Sequence, residues 1–104
     1  MSTYYVATRL ANKTVNGKSY DERRNLLIKN MNEENGFWAD PTSFYLVESS
    51  LDTYGFAAKA CKGLSVKDDL VVVLDPTDMS AASFGPVEHF DVLKSFFPRV
   101  KKLD

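Results

Sequence analysis

One cysteine, Cys61, and one histidine, His89, are all that these 104 residues contain of the two residue types that build most structural zinc sites. A single thiol excludes an intramolecular disulfide, and one thiol with one imidazole cannot make a tetrahedral nitrogen and sulfur cluster. No apolar run approaches the roughly 18–20 residues that a membrane-spanning helix needs. The first residues, Met1 to Tyr5, have neither the basic region nor the apolar stretch of a secretory signal. An excess of one charge is also missing. Thirteen basic against fourteen acidic residues leave a net charge of -1, so the molecule as a whole exerts no general pull on nucleic acid or on an anionic membrane. These absences point to a reducing, cytoplasmic setting without a membrane partner, and they confine any polyanion site to a local patch. The sequence also lacks a G-x-S-x-G elbow, a phosphate-binding glycine loop and a dinucleotide fingerprint, so it assigns no catalytic residue, no metal and no cofactor.

What is present is an ordinary globular composition, 44% apolar and 26% charged, in a length suited to one domain spanning 1–104. Tyr4 to Leu10 mixes aromatic and β-branched residues and reads as a strand. Asn16-Gly17 marks a turn. Ser19 and Glu22 form the S-x-x-E pattern that opens a helix, predicted from Tyr20 to about Glu33 with Tyr20, Arg24, Leu27, Ile28 and Met31 on its apolar face. Phe37 to Ala39 reads as a short edge strand before Asp40-Pro41, and Ser43 to Ser49 as a stronger strand. Asp52 to Lys62 carries Tyr54, Ala57, Ala58 and Cys61 at helical spacing, and Gly63 follows as its stop. Leu70 to Leu74 is continuously apolar, as in a central strand covered on both faces.

The order strand, helix, strand, strand, helix, strand is that of an α+β ferredoxin-like split βαβ unit. It predicts a four-stranded antiparallel sheet over a core of residues 4–75 with both helices on one face. Residues 80–104 form a C-terminal extension, read as a small-residue stretch followed by a third helix or an edge-covering arm. Pro86 stands at that helix's first turn, with Val87, Phe90, Leu93 and Phe97 along one side.

The helix-free sheet face should be polar if it meets water. Instead the strands carry apolar residues on both alternations, Tyr5, Ala7, Phe44 and Leu46 among them. Either the C-terminal segment folds over this face or a second subunit does, and a homodimer through it is the expectation. Arg9, Lys13, Lys18, Arg23 and Arg24 are the densest basic group in the N-terminal half and the candidate contacts to RNA or DNA phosphates. The competing role for Arg9 is an ion pair with Glu48 or Asp75 across the sheet. Asp68, Asp69, Asp75 and Asp78 lack calcium-loop spacing and suit turns and caps. Cys61 reads as an inert core thiol, and His89 as a surface or partly packed side chain.

The first strand, the capped helix, Phe37-Trp38, the Thr42-Ser43-Phe44-Tyr45-Leu46-Val47 strand and the Asp68-Asp69-Leu70-Val71-Val72-Val73 approach together resemble, over residues 4 to 85, a family of small ferredoxin-like proteins. That family is related to the dimeric CRISPR adaptation nuclease subunit and to virulence-associated protein D. The resemblance implies a dimer and a nucleic-acid-binding or metal-dependent nuclease role. The family's nuclease pattern has an aspartate at the end of the first strand, where this chain has Arg9. An arginine cannot ligate a divalent ion, so the resemblance implies a catalytically inactive nucleic-acid-binding relative. The alternatives are a metal-dependent endoribonuclease using another acidic set, and a protein-interaction or small-ligand module.

Overall fold

Strand β1 is Ser2–Arg9, with Tyr4 and Val6 buried and Tyr5, Ala7 and Arg9 facing the other way. In the computed structural model, which describes residues 1–103, the chain after β1 turns through Val15-Asn16-Gly17-Lys18. Asn16 and Gly17 both adopt positive φ (52° and 78°), and Val15 and Lys18 exchange backbone hydrogen bonds of 2.9 and 3.0 Å. This is the two-residue hairpin geometry that Asn-Gly favours. Helix α1, Tyr20–Met31, begins with the full reciprocal box. The Glu22 N–H donates to Ser19 Oγ at 3.1 Å, and the Ser19 N–H donates to Glu22 Oε1 at 3.0 Å. Its deepest face is Arg23, Leu27 and Met31, four residues apart. The predicted stripe is therefore rotated by about one position: Arg24 is only half-buried and Arg23 takes the core position.

Strands β2 (Phe37–Trp38), β3 (Phe44–Ser49) and β4 (Leu70–Asp75) flank helix α2 (Thr53–Ala60), whose N-cap Asp52 accepts the Gly55 N–H at 2.7 Å. β1 lies between β3 and β4 and is antiparallel to both, with Tyr5 opposite Leu46 on one side and Leu74 on the other. β2 pairs antiparallel with β3.

The chain is α+β, with three helices and one mixed sheet of six strands in the order β2-β3-β1-β4-β5-β6. The sequence expectation of four strands with an appended helix or arm is corrected here. Residues 80–103 form β5 (Ser80–Phe84), α3 (Phe90–Phe96) and β6 (Arg99–Leu103). β5 pairs antiparallel with β4, and β6 runs parallel to β5, which requires a crossover that α3 supplies. Ser-Ala-Ala-Ser-Phe has little intrinsic strand preference. It is a strand because it is buried throughout, and its small side chains let α2 approach β4 and β5 closely.

Helices α1 and α2 cover one sheet face. The core there joins Tyr4, Val6, Tyr45, Val47, Val71, Val73, Ala82 and Phe84 to Leu27, Met31, Phe56, Ala57 and Ala60. Tyr4 stacks on Phe56 at 4.7 Å between ring centroids. α3 lies on the opposite face above β5 and β6. Lys102, whose register partner Ser83 pairs in turn with Val72, holds its Nζ 4.5 Å over the Phe90 ring, and Ala81, Ser83 and Val100 are buried. The predicted α3 stripe of Val87, Phe90, Leu93 and Phe97 is half-buried, while Phe96 is 68% exposed. No helix is long and apolar enough to cross a membrane among the described residues.

Candidate functional site

The five cations singled out in the sequence do not form one patch. Arg23 is only 1% exposed, and its guanidinium is used inside the protein. Nε donates to Asp69 Oδ2 at 3.0 Å and Nη2 to Asp69 Oδ1 at 3.2 Å. Nη1 donates to the carbonyls of Lys13 and Lys18 at 2.8 and 2.9 Å, and Nη2 to that of Ala11. Asp69, fully buried, also accepts the N–H groups of Ala11 and Ser65, each at 3.0 Å. One planar fork and one carboxylate thus tie the loop after β1, the first turn of α1 and the approach to β4 into a single knot. Arg23 is out of reach of any phosphate. A burial signal was visible in principle: Arg23, Leu27 and Met31 share a helix face, but an arginine is the residue that pattern reading assigns last to a core.

The remaining four cations are spread over both layers. Lys13 pairs with Asp68 at 3.3 Å, whose carboxyl is held below the usual range by the Ser65 hydroxyl and then by Lys13. Lys18 places its ammonium beside Gly63, just beyond the C-terminal end of α2. Arg24 donates to the Thr42 carbonyl at 3.2 Å and lies 5.9 Å from the Tyr45 ring centroid, in the helix layer. Arg9 projects from the other sheet face, at the end of β1 opposite Leu70. The alternative pairing of Arg9 does not occur. Glu48 lies opposite Thr3, at the far end of β1, and Asp75 points to the helix face. Arg9 forms none of the ion pairs or side-chain hydrogen bonds found among the described residues.

The helix-free face over β2, β3, β1 and β4 remains uncovered. Tyr5, Ala7, Phe44, Leu46, Val72, Leu74 and Trp38 share it through the strand registers. Tyr5 is 39% exposed and Trp38 43%, and Tyr5 meets Phe44 edge to face at 6.1 Å. Leu70, Val72 and Leu74 are half-exposed, so β4 is not covered on both faces as its composition suggested. A shallow groove of about 260 Å³ runs at the β2 edge between Thr3, Trp38, Leu46 and Glu48. α3 stops at β5 and β6, so the C-terminal segment flanks this face rather than closing it.

The acidic candidates are spent on local geometry. Asp75 accepts the Thr77 N–H at 2.9 Å, and Asp78 accepts from the hydroxyl and the N–H of Ser80, which in that order hold its carboxyl below the usual range. Both line a hollow of about 170 Å³ with Thr53 and Arg99. Among the described residues no buried side-chain polar atom lacks a partner, and no three His, Cys, Asp or Glu side chains converge in a metal-binding arrangement. Cys61 is buried, and burial first, then the Asp69 charge, pushes its thiol up to about 12, far from a reactive thiolate. His89 is exposed at the N-cap of α3.

No protein-family model, curated protein or solved structure was found to match this chain.

Proposed function

We propose that this protein is a homodimeric interaction module, joined through the open face of its sheet, and that it works as a binding scaffold rather than as a nuclease. The single observation that carries the reading is the continuous apolar surface of Tyr5, Ala7, Trp38, Phe44, Leu46, Val72 and Leu74, left in water by one subunit. Three strands about 4.8 Å apart and about 20 Å long, with the two residues of β2 beside them, give roughly 300 Å² of flat face, before side-chain relief and the flanking α3 are added. That is less than half of the roughly 800 Å² per partner of a standard interface, which fits a weak, concentration-dependent dimer.

The proposed occupant is a second copy, since an isologous contact needs only this one patch. A flat apolar floor is bounded by a wall, α3, on one side and is open at β2 on the other. The edges are poor alternatives. β2 is two residues long and is followed by Asp40-Pro41, and β6 carries Arg99, Lys101 and Lys102. Short edges, proline and cations are the devices that discourage edge pairing. The antiparallel β4-β1-β3-β2 neighbourhood with α1 and α2 on one side supports a ferredoxin-like split βαβ reading of residues 4–75, extended by β5, α3 and β6. The relationship to the CRISPR-associated and virulence-associated family rests on the sequence resemblance alone. Arg9 in the place of that family's aspartate supports the absence of its nuclease chemistry.

Trp38 is the only tryptophan and sits on the face, so it reports the contact directly. Its emission is expected to shift to the red and become more quenchable by acrylamide as the protein is diluted. Tyr5→Lys is expected to show the diluted-state spectrum at every concentration. Emission that does not depend on concentration, in the parent, overturns the reading.

A further inference from the structure

We infer that the hollow between the turn before β4 and the start of the β5–α3 crossover is a binding site for a small phosphate monoester with an apolar body. The site lies within one chain and does not rest on the dimer.

The hollow, about 410 Å³, is larger than either of those described above. Val66 and Lys67 line it from the turn before β4, Ser83 from β5, Pro86 and Val87 from the crossover and Lys102 from β6. Its walls are fixed by contacts that hold the fold. The Ser65 carbonyl accepts the N–H groups of Asp68 and Asp69 at 3.2 and 2.8 Å, so Val66 and Lys67 sit at the tip of a closed turn. Arg23 anchors that turn through the Asp69 carboxylate. Gly85 lies so close to the Asp69 carbonyl oxygen that no Cβ would fit, and this contact brings the crossover down beside the same turn. Ser83 and Lys102 are register partners in the parallel β5–β6 pair and therefore face the same side, that of α3.

Two cations and no carboxylate line the hollow. Lys67 and Lys102 form none of the ion pairs found among the described residues, and the acids next to Lys67 are taken, Asp68 by Lys13 and Asp69 by Arg23. The Phe90 ring, 4.5 Å from Lys102 Nζ, places that charge without neutralising it. Ser83 points to a ligand independently of the lysines. It is 2% exposed, and its hydroxyl makes none of the side-chain hydrogen bonds found among the described residues. Every fully enclosed polar side-chain atom there has a partner, so the Ser83 hydroxyl opens on the hollow it lines. Alanine serves β5 at the two positions before it, and a hydroxyl buried this deeply calls for a partner.

Ammonium groups on flexible stems suit a phosphate, and two of them match the roughly −1.5 to −2 charge of a monoester near neutral pH. Val66, Pro86 and Val87 offer an apolar wall to the rest of the molecule, so inorganic phosphate would use only half of the site.

The test is a titration of the isotope-labelled full chain with phenyl phosphate at low ionic strength, read from the backbone amide shifts. Saturable shifts are expected at Lys67, Ser83, Gly85, Val87 and Lys102. Inorganic phosphate, which lacks the body, and benzoate, which lacks the second charge, are each expected to bind roughly fivefold more weakly or worse. Lys67→Gln and Lys102→Gln should each weaken phenyl phosphate roughly five- to tenfold. Ser83→Ala should weaken it roughly threefold or more at an unchanged melting temperature, since no bond within the fold is lost. Lys94→Gln, on α3 and outside the lining, should leave the affinity as it is.

Shifts that do not saturate, or a Lys94→Gln loss equal to that of Lys67→Gln, overturn the site in favour of diffuse attraction to surface lysines. Benzoate binding as tightly as phenyl phosphate overturns the phosphate assignment. A clear fall in melting temperature for Ser83→Ala overturns the role of its hydroxyl. Asp104, which follows Leu103, lies outside the described residues. Binding that emerges only in Asp104→Asn also overturns the inference, since the chain's own carboxylate would then hold the two lysines.

Discussion

Replacing Arg23 with methionine keeps most of the volume and removes all the donors of the knot. Asp69 would remain fully buried with only the Ala11 and Ser65 N–H groups to neutralise it. Removing one partner of a buried ion pair costs about 3–5 kcal/mol, because the remaining charge stays out of water. The three carbonyls add little to that figure. Ala11 and Lys18 keep backbone donors, from Lys13 and Val15, and the Lys13 carbonyl lies in a loop that water can enter. For a domain of this size such a loss lowers the melting temperature by on the order of 12–40 °C. Arg23→Lys is expected to lose most of it too, since an ammonium cannot span Asp69 and three carbonyls as the fork does. Urea denaturation of Arg23→Met, Asp69→Ala and the double variant forms the assay. The double variant should cost less than the sum of the singles by about 1 kcal/mol or more. An Arg23→Met loss below about 1 kcal/mol, the range of an ordinary surface arginine, would refute the reasoning.

Gly85 has φ 92°, and a Cβ there would fall inside the carbonyl oxygen of Asp69, so Gly85→Ala should destabilise by at least about 1–3 kcal/mol in thermal melts. Cys61 should resist a thiol reagent at pH 8 in the native state and react only as fast as the protein opens, and rapid stoichiometric labelling would contradict its burial. The thiol value is raised on folding, so this group's contribution is full below pH 9 and is lost as pH rises toward 12. On the acid side, the backbone N–H and then the hydroxyl of Ser19 lower Glu22, and the Ser65 hydroxyl and then Lys13 lower Asp68. Their contributions are present above the ordinary values of 4.5 and 3.8 and are lost as pH falls through the lower folded values. Carboxyl NMR titrations should show midpoints below those values, with the Glu22 midpoint moving up in Ser19→Ala.

Local signals carried the first three quarters of the fold. Asn16-Gly17, the Ser19 and Glu22 box and the β3 and β4 runs each act within a few residues, so their effect is visible in the chain. β5 and β6 were not visible in this way. Ser80 to Phe84 is held as a strand by burial between β4 and β6 and beneath α2, and Arg99 to Leu103 by pairing with it, all of which are tertiary effects. Arg23 misled for the same reason. Its role depends on Asp69, 46 residues away, and on three loop carbonyls that face inward only once the loop has formed. The open sheet face was legible because alternation alone places Tyr5, Phe44 and Leu46 on the side away from the helices. How far the C-terminal segment reached was not, because it depends on a crossover that joins β5 to β6.

The central claim is that this face joins two copies, and the most direct measurement is sedimentation equilibrium of the unmodified chain beside Leu46→Lys. Over about 5 to 500 µM, the range where a small apolar interface should populate both states, the parent mass is expected to rise from 11.7 kDa toward twice that value, while Leu46→Lys stays at 11.7 kDa. A parent mass of 11.7 kDa at every concentration would contradict the account.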